Sequence, residues 1–215
     1  MVLTGIITVI GAYLIGSISF AVIFSKLFSK EDIRSKGSGN AGTTNVMRSV
    51  GLLPGLLTFV FDALKGFVAC KAGELIFDYI SKNSDAVWAV PIYGAYICGV
   101  ACMLGHVFPI FFGFKGGKGV ATSVGIFLVC CPIAIITGLA VFALGLLVCR
   151  IVSLSSLIAT VVVVVMSAIF AASGVNILPQ IIMSVIMGII VFLKHSSNIK
   201  RLLAGEEKKI TVKRK

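Results

Sequence analysis

Apolar residues fall in long blocks along the chain, and short polar stretches separate them. The blocks cover residues 1–25, 52–80, 86–112, 120–149, 150–172 and 177–193. Apolar runs near or above about 18 residues predict helices that span a bilayer. The block 120–149 is interrupted at Pro132. As one helix it would be about 45 Å long, more than a hydrocarbon core of about 30 Å requires. Two arms broken at Pro132 are therefore predicted. The first arm, 120–131, covers about 18 Å and is short for a span, so it is either re-entrant or begins inside the preceding polar loop. The expected fold is all-α: a polytopic membrane protein of about seven transmembrane helices, with a Pro132-broken hairpin in the middle and a single domain over residues 1–215.

Composition agrees with that pattern. Of 215 residues, 58% are hydrophobic and 13% charged, which is outside the range of soluble globular domains. The formal net charge of +11 adds an orientation, because basic loops favour the cytoplasmic side. Residues 1–25 carry no charge before Lys26, no basic leader and no cleavage site, so this block reads as a span and not a secretory signal. The N-terminus is expected outside, with the loop after the first span and the C-terminus inside. Glu74, Asp78, Lys82 and Asp85 make a net acidic outer end, and Trp88 and Tyr93 fit an interfacial belt. The basic excess favours anionic head groups and anionic substrates. It is split among short loops and forms no single face, which argues against nucleic acid. Cys70, Cys98, Cys102, Cys130, Cys131 and Cys149 lie in or beside apolar blocks without metal-ligand spacing, so neither disulfides nor a metal site is expected.

Three polar stretches carry the candidate chemistry. The first, 26–50, includes Gly37-Ser38-Gly39-Asn40-Ala41-Gly42-Thr43-Thr44-Asn45 and ends near Arg48. Its Gly37–Gly42 portion matches the letters of a dinucleotide-binding loop, but the strand and helix that motif needs are unavailable beside membrane spans. No Lys-Ser or Lys-Thr pair follows the last glycine, so it is not a Walker A loop either. It reads as a loop of neutral donors suited to a phosphate or carboxylate, or as a solvated connection. The second, 105–122, joins His106 and Pro109 to Lys115-Gly116-Gly117-Lys118-Gly119. Glycine lets backbone N–H groups approach a ligand and lysine adds charge, so this loop can cradle an anion. The alternative is a flexible turn with snorkelling lysines. The third begins at Lys194. His195, Asn198 and Arg201 recur every three residues, which a continued helix would roughly align. All three stretches are expected on the cytoplasmic face. Asp62 and Lys65 lie three apart within a span and share a helical face. They form either a structural pair or a site-lining one.

Gly37–Asn45, Gly105-His106 to Pro109 with Phe114–Thr122, and His195-Ser196-Ser197-Asn198-Ile199-Lys200-Arg201 with Gly205 and Glu207 resemble the three motifs of the PlsY family, the bacterial acyl-phosphate:glycerol-3-phosphate acyltransferases. Asp62–Gly66 and Ser153–Ser156 also look familiar from that family. The resemblance covers nearly the whole chain in order. It departs from the family at Ala41, where Pro is frequent, and at Thr43, where Ala is usual. It implies transfer of an acyl group from a fatty acyl phosphate to the 1-hydroxyl of glycerol 3-phosphate, at the cytoplasmic face of the bacterial inner membrane, by a monomer without a cofactor. Ser38, Gly39, Thr44 and Asn45, with Arg48 and Lys115, are assigned to phosphate groups, and Ser38 and Lys115 join His195 and Asn198 as the expected catalytic residues. Lys118 and Arg201 are second candidates. Asn40, His106, Gly116, Gly117 and Ser153 complete the substrate-binding set, and His195 and Asn198 orient the glycerol or the acyl carbonyl. Neither histidine has an acidic neighbour in sequence, so no general base is assigned, and the substrate's own phosphate is the expected proton acceptor. The rival class is a transporter of an organic phosphate anion. Against it stand the absence of an internal repeat and the clustering of polar motifs at one surface.

Overall fold

The computed structural model of the protein describes residues 1–171 and 177–210. Ten α-helices follow one another among them: α1 (Val2–Gly16), α2 (Phe20–Ser29), α3 (Thr43–Ser49), α4 (Leu52–Lys82), α5 (Pro91–Val107), α6 (Val120–Cys130), α7 (Pro132–Cys149), α8 (Val152–Ala171), α9 (Ile177–Lys194) and α10 (Ser196–Leu203). Six segments are long and apolar enough to cross a membrane: Val2–Ser29, Leu52–Lys82, Pro91–Phe112, Pro132–Cys149, Val152–Ala171 and Ile177–Lys194. The eleven-residue α6 is apolar but shorter. The helical break falls where Pro132 places it, because proline fits the first helical turn and cannot extend the preceding helix. The turn expected at 173–176 and the tail at 211–215 lie outside the described residues.

The first expected span contains a break at 17–19, between α1 and α2. The N–H groups of Val22 and Ile23 both bond to the Ser19 carbonyl, and the Ile18 carbonyl accepts instead from Lys65 Nζ at 2.7 Å. A buried cation thus takes a carbonyl that a continuous helix would have used.

The chain divides into two compact units, Met1–Cys130 and Cys131–Lys215. In the first, α4 is the hub against which α1, α2, α3, α5 and α6 pack. Its approach to neighbours is set by small residues. A Cβ on Gly73 would strike the Gly94 carbonyl of α5, one on Gly66 would strike the Thr122 carbonyl, and one on Gly125 of α6 would strike the Ala63 carbonyl. In lipid, helices gain little from burying apolar groups against each other, so close backbone approach carries much of the association. Gly73 meets Gly94 while the Lys65 carbonyl meets Cys102, and Gly66 meets Thr122 while Cys70 meets Cys130, so α4 runs antiparallel to α5 and parallel to α6. The polar stretches 30–51 and 108–119 therefore sit at one end of this unit, and residues 83–90 at the other.

In the second unit, α7, α8 and α9 follow one another up and down. Gly138 lies against Val163, Gly145 against Ser155, and Gln180 Nε2 donates to the Ser167 carbonyl at 3.1 Å. The α7–α8 turn, α10 and the segment after it therefore gather at one end. Large apolar side chains such as Leu147 and Val148 are left exposed, as lipid-facing positions of a spanning helix would be.

Candidate functional site

The loop of the first polar stretch is built around Asn45, which is buried at the start of α3. Its Oδ1 accepts from the Ser38 N–H at 3.0 Å, and its Nδ2 faces the carbonyls of Ile33, Lys36 and Asn40 at 3.2, 2.9 and 3.1 Å. An amide carries both donors and an acceptor, so one side chain can close a loop this way. Gly37 makes the closure possible. Its φ is +60°, and a Cβ there would collide with Asn45 Oδ1. Beneath the loop Ala21, Val22, Ile33, Ala41 and Val46 form a buried apolar patch. Ser38, Gly39 and Arg48 are exposed on the outside of the loop, with Asn40 and Thr44 half-buried. The Asn45 side chain, assigned from sequence to phosphate, is instead engaged by the loop's own backbone.

The second polar stretch is fastened to the first. Arg34 pairs with Asp32 Oδ2 at 2.8 Å, donates from Nη1 to the Phe112 carbonyl at 2.7 Å, and stacks on the Phe112 ring. The hydrogen bonds and charge of Arg34 hold the Asp32 carboxyl below its ordinary value. The Phe112 and Phe114 N–H groups both return to the Pro109 carbonyl, at 3.1 and 2.9 Å. The Gly117 N–H then bonds to the His106 carbonyl at 3.2 Å. A Cβ on Gly117 would collide with His106 Nε2 and the Ala41 carbonyl, and one on Gly116 with the His106 carbonyl. Lys115 is exposed and Lys118 half-buried. The structure thus brings two of the three polar stretches into direct contact, with His106 at the junction.

His106 has an acid after all. Asp62 Oδ1 lies 3.5 Å from His106 Nδ1 and 2.7 Å from Lys65 Nζ, and all three side chains are buried. Sequence spacing reveals only the Asp62–Lys65 half, because His106 stands on a different helix. The choice between a structural pair and a site-lining one is therefore too narrow: Asp62 joins the ion pair to the junction of the two loops.

The third polar stretch lies in the second unit and is organised by Glu207, which the sequence-level site set omitted. Ser153 Oγ and Asn198 Nδ2 donate to Glu207 Oε1 at 2.8 and 2.6 Å, and Arg201 Nε donates to Oε2 at 2.6 Å. Burial pushes the Glu207 carboxyl up, but the hydrogen bonds from Asn198, Ser153 and Arg201 and the Arg201 charge outweigh it and hold the group below its ordinary value. The helix does not run straight through: α9 stops at Lys194 and α10 starts at Ser196, with His195 capping the new helix. His195 is buried, and its Nδ1 lies 2.8 Å from the Val191 carbonyl. A carbonyl only accepts, so Nδ1 carries the proton, and the lone-pair nitrogen of the neutral ring is Nε2. The Ile210 N–H bonds to the Arg150 carbonyl at 2.7 Å, tying the segment after α10 to the α7–α8 turn. No group of three His, Cys, Asp or Glu side chains suited to a metal occurs among the described residues.

Two anion-suited clusters result. One carries Ser38, Arg48, Lys115 and Lys118 on two loops that touch each other. The other presents a buried imidazole beside a carboxylate-anchored amide and guanidinium. The family model described as glycerol-3-phosphate acyltransferase matches residues 6–205. The chain is 41% identical over 205 residues to glycerol-3-phosphate acyltransferase 2 of Bacillus anthracis, covering 95% of this chain and 98% of that one. It is 41% identical over 206 residues to glycerol-3-phosphate acyltransferase of Thermoanaerobacter sp. (strain X514), covering 95% of each. Among solved structures it is similar to PlsY (YgiH), an integral membrane glycerol 3-phosphate acyltransferase. The TM-score is 0.82 at 36% identity to the glycerol 3-phosphate form, covering 96% of both chains. For the lysophosphatidic acid form the TM-score is 0.79 at 35% identity, covering 96% of this chain and 95% of that one.

Proposed function

This chain belongs to the glycerol-3-phosphate acyltransferase family, and from that premise we propose that it transfers the acyl group of a fatty acyl phosphate to the 1-hydroxyl of glycerol 3-phosphate. The products are lysophosphatidic acid and inorganic phosphate. The observation that carries this reading is the likeness over nearly the whole chain to a protein solved with both an acceptor and a product of that reaction. The whole chain acts as one acyltransferase domain.

Both substrates carry phosphate, and the chain offers cations in both clusters. Ser38, Thr44 and Arg48 with Lys115, Gly116 and Lys118 bind phosphate oxygens, and Gly39 and Gly117, whose N–H groups close turns within their loops, shape the site. Asn40 and Asn45 shape that loop, the second from the inside. In the other cluster His195 and Asn198 orient the glycerol or the acyl carbonyl. Asn198, Arg201 and Ser153 are held in place by Glu207. The hydroxyl oxygen bonds to the carbonyl carbon while the bond from that carbon to the phosphate oxygen breaks. Phosphate leaves with the electron pair, and the hydroxyl proton passes to a phosphate oxygen. Glu207 is a poor acceptor for it, because a carboxylate held below its ordinary value by several donors is a weak base. Fixed donors facing the carbonyl stabilise the oxyanion of the transition state, and holding both substrates together supplies much of the rate.

The site lies on the cytoplasmic face of a bacterial inner membrane, and the enzyme works as a monomer without a cofactor. Purified protein given palmitoyl phosphate and glycerol 3-phosphate is expected to release phosphate and lysophosphatidic acid in equal amounts. No release, with uptake of glycerol 3-phosphate into vesicles, would establish a transporter instead.

A further inference from the structure

Lys65, Asp62 and His106 form a buried line across the first unit that the reaction as described does not use. One end is the Ile18 carbonyl at the break between α1 and α2, held by Lys65 Nζ at 2.7 Å. Asp62 Oδ1 follows at 2.7 Å from Lys65 Nζ and 3.5 Å from His106 Nδ1. The far end is the Nε2 edge of His106, packed so closely on Gly117 that no Cβ fits there beside it and the Ala41 carbonyl. The His106 backbone also holds the loop, since its carbonyl accepts from the Gly117 N–H at 3.2 Å. An ion pair at helix depth is costly to insert, and an apolar pair of similar size would fill the space without that cost. Lys65 balances the Asp62 charge. The Asp62 carboxylate faces His106 Nδ1 at 3.5 Å and acts on the ring through its charge and its packing.

We propose that Asp62 is a positioning residue: buried between Lys65 and His106, it locks the His106 ring at the contact of Ala41 with Gly117 and so sets the two phosphate-binding loops of the first unit in register. Asp62 touches no substrate. It acts on the loop that carries Lys115 and Lys118, and the proposal rests on the function given above.

The test is steady-state kinetics on five proteins in proteoliposomes: wild type, Asp62→Asn, His106→Asn, Asp62→Asn with Lys65→Met, and that charge-neutral pair combined with His106→Asn. Thermal unfolding is measured on each. Asp62→Asn leaves Lys65 buried and uncompensated, so it is expected to lose stability as well as activity. The charge-neutral pair with Lys65→Met removes that charge and is expected to recover stability. Its KM for glycerol 3-phosphate or acyl phosphate should stay raised about tenfold, with kcat changed less. The charge-neutral pair combined with His106→Asn is expected to be no worse than His106→Asn alone, because Asp62 acts through His106. Recovery of wild-type KM by the charge-neutral pair would show that Asp62 serves only the fold and overturn the proposal. Multiplicative losses on adding the charge-neutral pair to His106→Asn would overturn it too, since Asp62 would then not act through His106. A wild type that releases no phosphate would instead overturn the proposed function, so the two failures are separable.

Discussion

Asn45 and Glu207 show how much of each cluster depends on one side chain. Asn45 serves one backbone N–H and three carbonyls of its loop. Asn45→Ala leaves these groups without that partner, and unmade buried hydrogen bonds cost about 1–3 kcal/mol each. Asn45→Ala is expected to lower the thermal unfolding midpoint and raise KM for the phosphate substrates, because Ser38 loses its place. An unchanged midpoint would mean the loop holds itself without Asn45. Glu207 titrates below its ordinary value of 4.5 in the folded protein. Its network therefore contributes stability above that ordinary value, and this contribution is lost as pH falls through the lowered folded value. Glu207→Gln keeps the shape without the titration. It is expected to be less stable than wild type at neutral pH and to show a flatter acid limb, measured as thermal midpoint against pH.

At the scale of elements, α4 decides the geometry of the first unit. Its crossing with α6 depends on the absence of a side chain at Gly125, where a Cβ would overlap the Ala63 carbonyl. Gly125→Val is expected to cost about 1–3 kcal/mol by overpacking and to lower turnover, because α6 carries the loop that ends in Lys118 and Gly119. Gly11→Ala on α1 faces open space and is expected to shift stability by no more than about 0.5 kcal/mol. Unfolding midpoints of the two variants, compared side by side, check the contrast. The step from α9 to α10 matters in the same way. By ending one helix at Lys194 and starting another at Ser196, the chain turns Asn198 and Arg201 toward Glu207.

For the whole molecule the open quantity is orientation. We propose from the excess of basic residues that the polar loops lie inside, and within the first unit the structure puts Lys115 and Asp85 at opposite ends. Single cysteines at these two exposed positions should therefore respond oppositely to a membrane-impermeant maleimide. In right-side-out vesicles Asp85→Cys is expected to label and Lys115→Cys only after permeabilisation. The reverse pattern would invert the topology.

The amino-acid sequence by itself determined the helical membrane fold, the break at Pro132 and the three polar stretches. Each of these is local: an apolar run must satisfy its backbone internally once in lipid, proline forbids a continuous helix, and glycine-rich motifs are contiguous. Asn45 marks the limit of that reading, because the letter Asn does not say whether its amide faces a ligand or its own loop. Only the tertiary structure decided that Asp62 reaches His106, that Arg34 clasps the Phe112 carbonyl, and that Glu207 gathers Ser153, Asn198 and Arg201. Those partners lie on different helices and loops. Their meeting depends on how closely glycines let the helices approach, a property of the packed molecule that no spacing along the chain encodes.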